Sequence, residues 1–197
     1  MTRIGHGLFK LGVHHAYHAN SLNADDLTRA TIEGRAENAK AVSALRKLRG
    51  VWNDLEMAIT SPLIGIREGR RLHGLYTVTR DDLIRGCRHE DAVCRVTFPV
   101  DVHSTDPAAH KGYSSEGVAM QPYDIPLRAL IAADVDNLTM AGRCISGEFI
   151  AHASYRVVGN CVATGVAAGV LSAHSAQKEM PLSQIPFNSI REHIKVA

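Results

Sequence analysis

Residues 157–173, VVGNCVATGVAAGVLSA, constrain this chain more than any other stretch. The apolar run is slightly short for a bilayer span and is interrupted by Asn160 and Thr164. It is built from Ala, Gly and Val, where a span favours Leu, Ile and Phe. It therefore reads as a buried helix over about 158–175 whose small side chains let a neighbour come close, and no membrane partner is expected. Just upstream, Leu138 to Ala141 reads as a buried strand ended by Gly142, where a missing side chain permits close backbone approach. The start of the helix leaves backbone N–H groups open, a ready-made place for negative charge. Two accounts of the residues stand side by side: a glycine–alanine helix packed on a sheet, or a helix start facing an anionic group.

The remaining chain reads as a mixture of helices and short strands. Asn23 or Asp25 caps a helix whose apolar stripe runs through Leu27, Ala30, Val42 and Leu45 to a stop at Gly50, with Gly34 a point of weakness. A second short helix is expected over 52–59. Residues 75–78 read as a strand, and Thr79 caps a helix to about Arg85. Residues 92–102 alternate like a strand, with Pro99 marking an edge or kink. Residues 103–122 read as a polar loop, and 123–130 as an extended piece running into a helical turn. Beyond Gln177 the chain is polar and is expected to dock loosely. Residues 1–24 show no clear period, and the chain contains no internal repeat.

Several classes of function are disfavoured. An apolar fraction of 45% with 21% charged residues is that of an ordinary globular protein. A formal charge of +2 gives no footprint for nucleic acid. The arginines at 67, 70 and 71 read first as a solvated or ion-paired face. Cys87, Cys94, Cys144 and Cys161 form no CxxC pair, and no secretory leader is evident, so reduced thiols and a cytoplasmic location are expected. His14, His15 and His18 lack an acidic third ligand at a standard spacing, so no metal is expected. The absence of G-x-S-x-G argues against a serine hydrolase.

The strings NLTMAGRCIS (137–146) and HASYRVVGNCVATGVAAG (152–169) resemble the C-terminal signature of a family of FAD-dependent oxidoreductases. These are distant relatives of the succinate dehydrogenase and fumarate reductase flavoproteins. DDLTRATIEGR (25–35), IGIREGRRLHGLYTVTRDDL (64–83), FPVDVH (98–103) and YDIPLRAL (123–130) fit the same family in the same order. The resemblance implies an α+β fold, the C-terminal portion of a flavoprotein. It would comprise an N-terminal extension (1–22), a substrate or cap region with a mixed sheet (23–136), an FAD-facing strand and helix (137–176) and a tail (177–197).

It further implies FAD as cofactor. Gly142, Arg143, Cys144, Ile145 and Ser146 would lie near the flavin ring with Arg156, and Thr164 and Gly165 would offer backbone donors to its pyrimidine edge. Arg67, Arg70, Arg71, Asp101, His103, Tyr123 and Arg128 would fall on the substrate side. His103 is the expected general base, since its ordinary pKa suits proton uptake near neutrality, with Asp101 orienting it. Arg67 and Arg71 would bind an anionic or polyhydroxylated substrate. Val158-Gly159-Asn160 stands where the family more often has Met-Pro-Thr, a departure at the helix start.

Dinucleotide-binding proteins grip the ADP half with G-x-G-x-x-G after a strand. No such string occurs here; Gly5-His6-Gly7 lacks the third glycine. A second polypeptide or homologous chain is therefore expected to supply a Rossmann unit, completing an enzyme that moves hydride from a small substrate to flavin. The alternative is a non-catalytic interaction subunit, or a truncated remnant, holding no cofactor.

Overall fold

A computed structural model describes residues 2–12, 15–103 and 114–194. These fall into two compact units, one up to Ile66 and one from Arg67 onward. The first contains an antiparallel hairpin of β1 (Thr2–Gly5) and β2 (Leu8–Lys10), followed by the long helix α1 (Ala24–Lys47). Asn23 caps α1 by accepting from the N–H groups of Asp25 (2.9 Å) and Asp26 (3.1 Å). Acidic residues then occupy its positive end, with Arg46 and Lys47 at the other. Gly34 does not interrupt the helix. Arg29 pairs with Asp26 and Glu33, and Lys40 with Glu37, adding support one turn apart.

The expected helix over 52–59 does not form; a 3-10 turn at Gly50–Trp52 stands in its place. Met57 and Ile59 are exposed, so a short helix there would lack the packing that stabilises helices of a few turns.

The second unit holds nearly all of the core. Strand β3 (Ala92–Val96) pairs antiparallel with β4 (Tyr123–Pro126), in register at Arg95–Asp124 and Val96–Tyr123. Around this ribbon lie α2 (Arg80–Arg85), α3 (Phe149–Tyr155), α4 (Val158–Lys178) and α5 (Phe187–Ile194). The architecture is α+β. Thr79 begins α2 with a reciprocal capping box to Asp82, and Gly86 ends it in the left-handed region (φ 63).

The sheet is smaller than expected. Both two-stranded sheets are antiparallel, and among the described residues the parallel component is the isolated bridge Val78–Gly147. Residues 75–78 and 138–141 make isolated bridges instead of strands, because each forms a bridge at one position only (Val78–Gly147, Ile131–Thr139). β3 stops at Val96, ahead of Pro99, which has no N–H to continue a ladder.

The segment after Gln177 docks firmly. Leu182, Ile185, Ile190 and Ile194 all enter the core, because α5 carries its isoleucines one turn apart on one face. α3 was not expected from the sequence. It meets α4 at 98° across Arg156 and Val157, and residues 151–155 are buried. Among the described residues no single helix is long and apolar enough to cross a membrane.

Candidate functional site

The site is assembled from three segments of the second unit. The first, 67–72, has no regular structure but is pinned where the Leu72 N–H donates to the Cys144 carbonyl (2.9 Å). The second, 98–103, is tied to α3. The Ser154 hydroxyl donates to the Phe98 carbonyl (2.6 Å), and the Asp101 N–H donates to the Ala153 carbonyl (3.3 Å). The third runs from the 3-10 turn at Gly142–Cys144 through α3 to the start of α4.

Asp101 and His103 meet. The Nε2 atom of His103 lies 3.0 Å from one carboxylate oxygen of Asp101 and 3.1 Å from the other. Val102 bridges Ser114 through two backbone hydrogen bonds, which keeps the chain locally extended and puts positions 101 and 103 on one side. A cleft of about 130 Å3 opens here, lined by Arg67, Asp101, Arg143 and Arg156 with Phe98, Ala153 and Val157. Arg67 approaches Asp101 at 3.7 Å, a loose pair.

Glu68 and His152 escaped the sequence reading. Glu68 accepts from Arg156 (3.0 Å) and Arg71 (3.2 Å) and lies 3.0 Å from Nδ1 of His152. Burial opposes the Glu68 charge, but the hydrogen bond and charge of His152, with Arg71 and Arg156, outweigh it and hold the carboxyl below its usual range. Arg156 also donates to the Asp101 carbonyl (2.6 Å). Its pKa is lowered, first by burial and then by Arg67 and Arg143, against the opposing pull of Glu68 and Asp101. A signal for this cluster was present: His152 and Arg156 are spaced i, i+4, so one turn of helix brings them to one face.

Other expected residues lie elsewhere. Tyr123 is fully buried with its hydroxyl on Ser154 (3.1 Å). Arg128 binds Asp91 through Nε (2.9 Å) and Nη2 (3.2 Å) and sits over the Tyr76 ring. Arg71 is engaged by Glu68 and does not line the cleft, and Arg70 is exposed.

On the α4 side, Gly142 takes φ +65 and packs so closely that a Cβ would stand 3.2 Å from the Cys161 sulfur. Its N–H donates to the Thr164 hydroxyl (2.9 Å), and that hydroxyl donates to the Asn160 carbonyl (2.9 Å). Thr164 thus stitches the turn to the helix. Burial pushes the Cys161 thiol up, so it stays protonated at neutral pH. Ile145 and Ser146 are buried in the core, whereas Arg143 and Cys144 are exposed. Thr164 and Gly165, the seventh and eighth residues of α4, have N–H groups within the helix's own ladder. The open donors are those of Val158, Gly159 and Asn160, since Val157 provides no side-chain cap.

A profile of the FAD-dependent oxidoreductase family matches residues 5–194. The chain belongs to this family, which carries out oxidation and reduction with FAD as cofactor. Neither curated proteins nor solved structures yield a match. The residues present fit the flavin end of that cofactor. Three uncapped N–H groups suit the charge a reduced flavin carries. Added Cβ atoms at Gly159, Gly165 and Gly169 would meet nothing within 4 Å, so this face of α4 is open to a flat group.

Proposed function

We propose that this chain supplies the substrate-facing and flavin-facing groups of an oxidoreductase that takes hydride from a substrate carbon bearing a hydroxyl or similar group. A second polypeptide or homologous chain would supply the Rossmann unit for the ADP half of FAD. The observation that carries this reading is the shared cleft, where Arg67 and Asp101 stand beside Arg143, Arg156 and Val157 at the start of α4. The partner is supported by the outward face of α4. There Val158 and Val162 are 80% and 51% exposed beside three open glycines.

When bound, the flavin supplies a two-electron acceptor for the hydride leaving the substrate carbon. In this reading His103 takes the hydroxyl proton as the carbinol becomes a carbonyl, and Asp101 orients and charge-stabilises the imidazole. Arg67 holds the substrate, and Arg71 acts through Glu68. Gly142, Arg143, Cys144 and the first turn of α4 would face the ring, with Thr164 fixing the turn and Gly165 leaving room.

The test is the visible absorption spectrum of the complex purified in its native form. Oxidised-flavin bands that survive gel filtration are expected. A colourless complex with its partner present would remove the catalytic reading in favour of an interaction subunit.

A further inference from the structure

The cleft beside α3 has more positive than negative charge built into it. Among the described residues that line it, Arg67, Arg143 and Arg156 stand around one carboxylate, Asp101, while Glu68 lies behind Arg156 and also engages Arg71. Glu68 is occupied by Arg71, Arg156 and His152 together, and Asp101 is shared between His103 and Arg67. Among the described residues Arg156 makes one bond to Glu68 and one to the Asp101 carbonyl, which uses two of its five N–H donors. Its side chain is only 9% exposed, so it is a fixed group rather than a surface cation seeking solvent.

We propose that this cleft is a carboxylate subsite. Arg156 and Arg67, with Arg143, take the acid group of a small hydroxy acid whose hydroxyl faces the His103–Asp101 pair. The assignment rests on the oxidoreductase reading above and adds the substrate class to it. Planar guanidinium groups pair with planar carboxylates in two parallel hydrogen bonds, and low water access strengthens each bond. The cleft volume, about 130 Å3, suits an acid of a few carbons. Phe98, Ala153 and Val157 form an apolar side, which complements a short carbon skeleton and offers nothing to inorganic phosphate. Glu68 is the positioning residue: by holding Arg156 from one side it aims the remaining donors.

Calorimetric titration of the native complex tests this with three probes: lactate, its neutral amide lactamide, and inorganic phosphate. Lactate is expected to bind roughly tenfold or more tightly than either of the others, the value of a hydrogen-bonded charge contact. Arg156→Gln is expected to remove that preference. Arg67→Gln, at a side chain 46% exposed and so tolerant of replacement, is expected to reduce it even if the first variant does not fold. Failure to bind lactate, equal binding of lactate and lactamide, phosphate binding tightest, or a preference unchanged in Arg67→Gln would each overturn the proposal. The visible spectrum is recorded on the same samples. Missing flavin bands with the lactate preference intact would count against the flavin reading and leave the carboxylate subsite standing.

Discussion

Oε1 of Glu68 lies 3.0 Å from Nδ1 of His152, and the same oxygen accepts from Arg156 at 3.0 Å. One carboxylate thus joins a fully buried imidazole to a guanidinium that lines the cleft. The arrangement ties the irregular 67–72 segment to α3 and makes Glu68 a structural hub as well as an electrostatic one.

Glu68→Gln is therefore expected to lower stability while preserving the side-chain shape. Glu68 is 43% exposed, so solvent screening limits the effect to roughly 1 kcal/mol, read as a lower urea midpoint at pH 7. The sign of the pH effect follows from its lowered pKa. The contribution is fully present above the unfolded-chain value, about 4.3 for glutamate, and is lost as pH falls through the folded value. Wild type and variant should accordingly begin to converge in stability near the unfolded value and meet only below the lowered folded one. A gap that persists unchanged in acid would mean that Glu68 does not act through its charge.

A second prediction concerns close packing. A Cβ at Gly147 would lie 2.5 Å from the Tyr155 hydroxyl oxygen, and Tyr155 is buried with that hydroxyl donating to the Ile145 carbonyl. Gly147→Ala is expected to cost about 1–3 kcal/mol through overpacking, seen as a drop in Tm by circular dichroism. The double variant with Tyr155→Phe relieves part of the clash and should recover some of that loss. No recovery would place the strain elsewhere.

How far these features were legible in the sequence depended on how local they are. Asn23, Thr79 and the small-residue run of α4 announce their elements through neighbours a few residues away, and all three elements formed where expected. α3 has only seven residues and is buried on most sides, so FIAHASY shows no apolar stripe to mark it. Strands were overextended because pairing needs a partner remote in sequence, and 138–141 meets one only at Thr139. The same distinction divides the site. Asp101 and His103 are two residues apart, so an extended chain pairs them and the sequence shows it. Glu68 reaches partners 84 and 88 positions away, and no local pattern carries that.

Arg143 stands at the boundary between the two proposed roles, exposed beside Cys144 and lining the cleft. Arg143→Ala is expected to weaken flavin retention, measured as the flavin-to-protein absorbance ratio after gel filtration of the complex. Its exposure predicts a stability change within about 0.5 kcal/mol, so lost flavin cannot be blamed on unfolding. A retention ratio equal to that of wild type would remove Arg143 from the flavin side and leave it in the cleft alone.

The outward face of α4 offers the sharpest separation of fold from function. Gly165 is exposed in mid-helix with no described atom within 4 Å of an added Cβ. A helical glycine is less favourable than alanine by about 1 kcal/mol, so Gly165→Ala should stabilise the chain or leave it unchanged. Gly165→Val gains less, because a branched side chain loses rotamer freedom against the preceding turn. Were this face only solvent-exposed, both variants would retain flavin as well as wild type. If flavin or the partner chain lies against it, flavin retention should fall from Gly to Ala to Val while the chain's melting temperature does not fall. That opposite movement of retention and stability is the expected result. Retention that tracks stability would show instead that the open glycines serve the helix and not the cofactor.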